Sequence, residues 1–168
     1  MKEDKEYKSL SIEHRNRSKE FMVRDLYRYG AEVNARANDG NTPLHFAVMT
    51  GKVALVKTLV DSGACVDIRN KLGETPLYWA LHAWIFPDLV DYLLQKGACP
   101  SAQDLKGYTP LHKIRYSRKE SDRAVELLTK NGADPLIRAH NGDIAIHCAS
   151  RRGHLSLIQA LLEVPRRR

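Results

Sequence analysis

The sequence predicts an all-α fold: a solenoid of stacked helix-turn-helix units with projecting β-turn fingers. A glycine-led phrase of six residues recurs at residues 40–45, 73–78, 107–112 and 142–147, with successive offsets of 33, 34 and 35 residues. A Gly-Ala pair keeps the same period, at residues 30–31, 63–64, 97–98 and 132–133. A unit of this length cannot bury its apolar face alone, so neighbouring units are expected to stack.

Residues 37–69 form the clearest unit. Thr42 stands where a helix N-cap is expected, and Pro43 follows at the first helical position, where a missing N–H costs nothing. Gly51 should end this first helix in a left-handed conformation. A second helix is predicted over residues 53–61, closed by Gly63 in the same way. The unit therefore consists of a turn, a helix, a loop and a second helix.

The other units follow the same plan with small departures. Repeats are predicted at residues 70–103 and 104–138, and a truncated C-terminal repeat at 139–168. The truncated repeat carries Ile-Ala where the others carry Thr-Pro. Residues 5–36 are expected to form a divergent N-terminal cap with a polar outer face. Residues 1–4 are expected to be a disordered tail, which makes residues 5–168 a single domain.

These phrases resemble the ankyrin-repeat family. Thr-Pro-Leu-His occurs at residues 42–45 and 109–112, and Thr-Pro-Leu-Tyr at 75–78. The resemblance implies first helices that line a concave groove, fingers that project beside it, and binding of other proteins through both. It also implies that His45, His112 and His147 bond the backbone and the threonine hydroxyl to lock the turn. The family is not an enzyme family, so no catalytic residue is expected.

Composition and charge exclude several other classes. No apolar run approaches the roughly 18 residues of a membrane span, and the charged N-terminus is not a secretory signal. The three cysteines form no disulfide framework, which favours a reducing compartment: the cytoplasm, with the nucleus as an additional location. The net charge of +7 suits an acidic partner. Nucleic acid is disfavoured, because no aromatic platform accompanies the charge.

No cofactor and no metal are expected. Tyr78 replaces the histidine of the phrase once, which a shared metal site would not tolerate. Stacked helices also lie about 8–10 Å apart, too far for equivalent imidazoles to share a zinc whose bonds are about 2 Å long. No glycine-rich phosphate loop is present.

The binding information should lie at positions that the stacking does not fix. These are the finger tips, the exposed ends of the first helices and the residues that close each unit. An apolar and aromatic centre with arginine around it is an interface composition. The candidate partner-binding residues are Asp39, Asn41, Met49, Arg69, Lys71, Leu72, Glu74, His82, Leu105, Tyr108, Tyr116, Arg138, Asn141, Arg151 and Arg152.

The function predicted is a monomeric, non-catalytic interaction module: an adaptor, scaffold or inhibitor that binds another protein with an acidic segment along the groove. The alternative is a substrate-recognition or regulatory ankyrin segment of a larger ubiquitin ligase, enzyme or channel. A nucleic-acid-associated basic protein ranks below both. Arg36, Arg69 and Arg138 recur at the unit-closing position and could steer an acidic partner. They could equally be solvated, or pair with acids at the finger tips.

Overall fold

The computed structural model describes residues 32–82, 87–114 and 119–163. The predicted tail at 1–4, most of the predicted cap and the candidate Tyr116 lie outside the described residues. Within them there are eight helices and no strand. The helices are α1 (Pro43–Met49), α2 (Val53–Asp61), α3 (Pro76–His82), α4 (Pro87–Gln95), α5 (Pro110–Lys113), α6 (Lys119–Lys130), α7 (Ala145–Arg151) and α8 (Leu155–Leu162).

The helices form antiparallel pairs that stack on one another. The first helices α1, α3, α5 and α7 form one row, in which each contacts the next. The second helices α4, α6 and α8 form a second row, in which α6 packs against both of its neighbours. The prediction of an all-α repeat fold is confirmed.

Threonine, proline and glycine residues at the helix termini explain where the helices begin and end. Thr42 is extended, with φ −105° and ψ 167°, and Pro43 opens α1 directly after it. Gly51 ends the loop behind α1 with φ 65°, and α2 covers the predicted residues Val53–Asp61. Gly63, Gly97 and Gly132 have φ of 93°, 90° and 95°, so the predicted left-handed conformation is confirmed.

The core is a column of side chains that repeats through the stack. Leu44, Leu77 and Leu111 occupy the same position of successive first helices, and each is at most 1% exposed. Burying one such side chain contributes about 1.5–3 kcal/mol. Ile146 occupies the same position in α7 and is only half-buried, because no described residue stacks beyond it. Within the described residues the fourth repeat therefore has less buried apolar surface than the second and third.

Four tight turns project from the stack as fingers: residues 37–41, 70–74, 104–108 and 139–143. In each finger the first N–H donates to the last carbonyl, as from Ala37 to Asn41 at 2.8 Å. Each finger also bonds the one before it. Lys71 N–H donates to Asp39 O at 2.9 Å, Leu105 N–H to Leu72 O at 2.9 Å, and His140 N–H to Lys106 O at 3.0 Å. The fingers thus form a hydrogen-bonded row beside the first helices.

The glycine inside each of the first three fingers permits this close approach. A Cβ on Gly40 would lie 2.8 Å from Lys71 N, and one on Gly73 would lie 2.8 Å from Leu105 N. Both glycines also have positive φ, of 82° and 78°. The finger glycines therefore serve the contact between repeats as well as the turn.

The described helices include none that is long and apolar enough to cross a membrane.

Candidate partner-binding surface

The framework histidines lock each finger to the helix that follows it. The Thr42 N–H donates to His45 Nδ1 at 3.1 Å, and the Thr42 hydroxyl lies 3.0 Å from the same nitrogen. His45 Nε2 lies 3.1 Å from the carbonyl oxygen of Glu74 in the next finger. A carbonyl only accepts, so Nε2 carries the proton and Nδ1 is the acceptor. The neutral imidazole thus joins two repeats, as the resemblance implied.

The framework histidine makes the same bonds in the third repeat and some of them in the fourth. Thr109 N–H donates to His112 Nδ1 at 3.1 Å, and His112 Nε2 lies 3.2 Å from Asp143 O. Burial lowers the pKa of both His45 and His112. In the fourth repeat the Ile144 N–H still donates to His147 Nδ1 at 3.1 Å. The fourth repeat thus loses the threonine hydroxyl but keeps the imidazole acceptor.

The second repeat replaces the histidine with a tyrosine that makes a different bond. The Tyr78 hydroxyl donates to Asp104 Oδ2 at 2.6 Å, and both side chains are buried. Burial, followed by this hydrogen bond, raises the pKa of Tyr78 well above its usual range. Here the Thr75 hydroxyl accepts the Tyr78 N–H at 3.3 Å, which is an ordinary N-cap. The tyrosine therefore reaches a side chain of the next finger, where a histidine reaches a backbone carbonyl.

The two inner fingers are held from beneath by a buried side-chain oxygen. Asn70 Oδ1 accepts the N–H groups of Leu72 and Glu74 at 2.9 and 3.0 Å. Asp104 Oδ1 accepts those of Lys106 and Tyr108 at 2.8 and 2.9 Å. The first and fourth fingers have alanine at this position, Ala37 and Ala139.

The unit-closing residues form a ladder along the base of the fingers. Arg36 donates to Arg69 O at 2.8 Å, and Arg69 donates to Gln103 O. Gln103 Nε2 lies 3.2 Å from Arg138 O, and Arg138 donates to Gly142 O at 2.8 Å. The candidates Arg69 and Arg138 are thus fixed by backbone carbonyls rather than by acids at the tips. Their guanidinium groups are still exposed and charged, so they contribute positive potential.

Two predicted finger-tip candidates are not at the surface. Asn41 is 3% exposed; its amide donates to Asp39 at 2.6 Å and its oxygen accepts from Asn70 at 3.0 Å. Glu74 is half-buried and accepts from the Trp79 indole at 2.7 Å and from Asn70 at 3.0 Å. The expectation that the stacking does not fix these positions was wrong here, because both side chains bond neighbouring residues of the stack.

Four other tip candidates face solvent: Asp39 of the first finger, and Lys71, Leu72 and Leu105 of the inner fingers. Leu72 is 60% exposed and Leu105 66% exposed, and Asp39 and Lys71 are exposed as well. Tyr108 is half-buried, because its hydroxyl accepts from Asn141 of the next finger at 3.1 Å. The structure therefore places two apolar tips side by side, joined by the Leu105–Leu72 backbone bond.

At the C-terminal end the candidates bond one another. Arg151 pairs with Asp143 at 2.7 Å, and this pairing holds the pKa of the Asp143 carboxyl below its usual range. Asn141 donates to the same carboxylate at 2.9 Å. Arg152 reaches back to the carbonyls of His112 and Ile114 at 3.0 and 3.1 Å. The Arg152 side chain therefore connects the fourth repeat to the third.

The first helices carry an apolar cluster that the sequence reasoning found only in part. The candidate Met49 is 44% exposed, and Phe46 beside it is 48% exposed. The half-buried Trp79 ring lies edge-on to Phe46, with ring centroids 6.2 Å apart. Phe46 and Trp79 were missed as site residues; both directly follow the framework residue of the phrase, and that variable position was the available signal. The candidate His82 is exposed at the end of α3.

Lys113 occupies the same position one repeat further along and was also missed. Its Nζ lies 4.7 Å from the centre of the Tyr108 ring and 5.1 Å from that of Tyr78. Burial lowers the pKa of the Lys113 ammonium. We call the face built by these first-helix and finger-base residues the groove surface; its members are Phe46, Met49, Trp79, His82, Tyr108, Lys113, Asp143 and Arg151.

Among the described residues no group of three or more His, Cys, Asp or Glu side chains is placed to hold a metal ion. Cys65 and Cys99 are exposed free thiols, whereas Cys148 is buried, which raises its pKa.

The repeat geometry agrees with a comparison against protein families. The family model described as ankyrin repeats (3 copies) matches residues 12–104 and 83–167. The chain belongs to the ankyrin-repeat family. Ankyrin repeats are generic protein-protein interaction modules, and the family is generally non-catalytic. A search of curated proteins returned no match for this ankyrin chain.

Proposed function

We propose that this ankyrin protein is a non-catalytic adaptor, scaffold or inhibitor that holds one partner protein against the groove surface and the tips of the inner fingers. The observation that carries the proposal is the exposed apolar cluster of Phe46 and Met49 beside Trp79. Exposed aromatic and methionine side chains in a rigid frame are enriched at interfaces. The cluster stands on helices whose opposite face is buried, so it is available without unfolding.

The finger tips extend the same surface. Leu72 and Leu105 project from neighbouring fingers that a backbone hydrogen bond joins. A partner that contacts both tips and the cluster would bury apolar area on the fingers and on the first helices at the same time. The bonds within the stack fix the frame beforehand, which reduces the ordering cost of binding.

Charge supports an acidic partner. The net charge is +7, and the exposed arginines of the ladder hold their positions through backbone carbonyls. Neighbouring repeats are about 8–10 Å apart, close to the Debye length of about 8 Å at physiological salt, so their potentials partly add. Such charges mainly raise the association rate, while apolar contacts set dissociation. We also propose a cytoplasmic location, with the nucleus as an additional one, in keeping with free thiols.

The test is affinity capture from the native cell followed by quantitative mass spectrometry, with variants of the bait. Phe46→Gln combined with Met49→Gln removes the apolar cluster without adding charge. Leu136→Gln is the matched control, since Leu136 is 59% exposed on the loop that follows the second helix α6. We expect a partner that the wild type and the control retain and the double variant loses. Equal recovery with the double variant, folded by circular dichroism, would contradict this assignment of the surface.

A further inference from the structure

Lys113 is a half-buried cation that has no oxygen partner among the described residues. It is the last residue of α5, and the rings of Tyr78 and Tyr108 lie 5.1 and 4.7 Å from its ammonium nitrogen. No carboxylate of the described residues lies within salt-bridge distance of it. A partly desolvated ammonium is costly unless it is paired, and aromatic faces compensate only in part.

Other cations near this face are already engaged. Arg151, on the neighbouring first helix, is paired with Asp143 at 2.7 Å. Arg152 donates to two backbone carbonyls, at 3.0 and 3.1 Å. Lys113 therefore differs from both: two aromatic rings contact its ammonium, and no described residue accepts a hydrogen bond from it.

The acids near Lys113 have bonds of their own. Asp104 accepts from the Tyr78 hydroxyl and from two backbone N–H groups. Glu74 accepts from the Trp79 indole and from Asn70. Lys106 and Arg152 add positive potential at Lys113 and offset part of the larger effect of these two carboxylates. A further carboxylate would therefore gain the hydrogen bonds of the ammonium against a reduced repulsion from Asp104 and Glu74.

The apolar cluster lies one repeat away from this cation. Trp79 and Lys113 hold equivalent positions in α3 and α5, each directly after the framework residue of its phrase. Packed helices lie about 8–10 Å apart. A peptide in the polyproline II conformation advances about 3.1 Å per residue with about three residues per turn, so side chains three residues apart lie on the same side. A peptide laid across the first helices would therefore pass from the cluster to Lys113 in about three residues.

We propose that the groove surface recognises a polyproline II segment of a partner protein in which a large apolar side chain and an acidic side chain stand three residues apart. The apolar side chain packs against Phe46, Met49 and Trp79, and the carboxylate accepts from Lys113 Nζ between the two tyrosine rings. This inference rests on the proposed function and adds the sequence pattern that the surface selects. The rings hold the ammonium in place, so Lys113 sets specificity as well as affinity.

The experiment selects peptides from a displayed library of random dodecapeptides on three baits: the wild type, Lys113→Met and Lys57→Met. Met has nearly the length of Lys but carries no charge. Lys57 is the matched control, because it is exposed on α2 and its Nζ also lies over an aromatic ring, 5.5 Å from the centre of Tyr92. We expect wild type and Lys57→Met to enrich peptides with an acidic residue three positions from a large apolar one. The Lys113→Met bait should enrich the apolar residue alone.

The best wild-type peptide then serves as the probe in a binding titration. Lys113→Met removes a hydrogen bond between charged groups, so we expect it to bind the peptide with about tenfold lower affinity. The loss should shrink at high salt. Binding should also raise the Lys113 pKa, followed by NMR of the side-chain ammonium, since a carboxylate favours the charged form.

The outcomes separate the two claims. Enriched peptides without an acidic residue at that offset, or bound equally by wild type and Lys113→Met, would overturn the inference and leave the proposed function standing. No peptide enriched above background on the wild type would also overturn the inference, because the surface would then not bind a linear segment. The proposed function falls only if the affinity capture recovers the partner equally with the Phe46→Gln, Met49→Gln variant.

Discussion

The third and fourth fingers have the same backbone turn but different support. In the third finger the buried Asp104 accepts two backbone N–H groups and the Tyr78 hydroxyl. In the fourth, Ala139 supplies no acceptor, and the exposed Asn141 accepts the Asp143 N–H at 3.1 Å. Water can replace an exposed acceptor but not a buried one. Rigidity of the fingers should therefore come from buried side chains between repeats rather than from the repeated phrase alone.

The largest effect is expected from removing the acceptor of the third finger. Asp104→Ala would leave three donors without their partner, two of them backbone N–H groups. An unsatisfied buried donor costs about 1–3 kcal/mol, so we expect a loss of about 3–5 kcal/mol in the free energy of unfolding. Urea denaturation followed by circular dichroism measures it.

Asp104→Asn is the control for that variant. Asn70 fills the same role in the second finger, so an amide at 104 should keep the two backbone bonds and cost less than half as much. Tyr78→Phe removes only the hydroxyl bond and should cost about 1 kcal/mol. If Asp104→Ala were as stable as Asp104→Asn, the buried acceptor would not be what holds the finger.

A somewhat smaller loss of stability is expected when a finger glycine is replaced by alanine, and the loss should differ between two of the fingers. Gly73→Ala and Gly142→Ala both place a side chain at positive φ, 78° and 84°. At Gly73 the new Cβ would also lie 2.8 Å from the backbone nitrogen of Leu105, whereas at Gly142 nothing lies within 4 Å. Strain alone costs about 1–3 kcal/mol, so Gly142→Ala should lose that amount and Gly73→Ala more. Equal thermal shifts for the two variants would show that the fingers can separate at no cost.

Acid should weaken the repeats that contain a buried framework histidine. His45 and His112 use both ring nitrogens as neutral imidazoles, and burial lowers their pKa. The unfolded chain takes up these protons near pH ~6.5 and the folded chain only at lower pH. The stability that these two neutral imidazoles contribute should therefore be fully present at neutral pH. This contribution should be lost as the pH drops below about 6.5.

The matched variant for this prediction is His112→Asn, which cannot titrate. Denaturation midpoints measured from pH ~7 to pH ~5 should fall less steeply for it than for the wild type. Acidic Asp143 and Asp104 near His112 oppose the burial effect, and Lys113 adds to it. A wild-type midpoint that stayed constant or rose on acidification would contradict the neutral, doubly bonded imidazole.

The smallest effect belongs to the fourth finger. Asn141→Ala removes the acceptor of the Asp143 N–H and two exposed amide contacts. Solvent replaces them, so we expect a loss of at most about 1 kcal/mol. The measurement is the same urea titration. A loss as large as that of Asp104→Ala would remove the distinction between the two fingers.

The fold followed from local signals in the sequence. Thr42, Pro43 and Gly51 act on residues within one turn of themselves, so the bounds of α1 and α2 could be predicted from spacing. Pro87 opens α4 for the same reason, despite the inserted residue before it. The left-handed glycines were predictable because no other residue adopts that conformation without cost.

The side-chain partners depended on the stacking and could not be read from one repeat. Asn41 turns inward because Asn70, in the next unit, offers a bond at 3.0 Å. Lys113 gains its surroundings from Tyr78 and Tyr108, which belong to different units. The Tyr78–Asp104 bond left one trace: the tyrosine departs from the phrase in one repeat, and the next finger carries an aspartate where others have Ala or Asn.

Native-state hydrogen exchange, resolved by residue, tests the central claim most directly. If buried acceptors between repeats fix the fingers, the amides of Lys106 and Tyr108 will exchange far more slowly than that of Asp143. Exchange among the described repeats will then be fastest from about Asp143 onward, where the stack has weaker support. Equal protection of the third and fourth fingers would contradict the account.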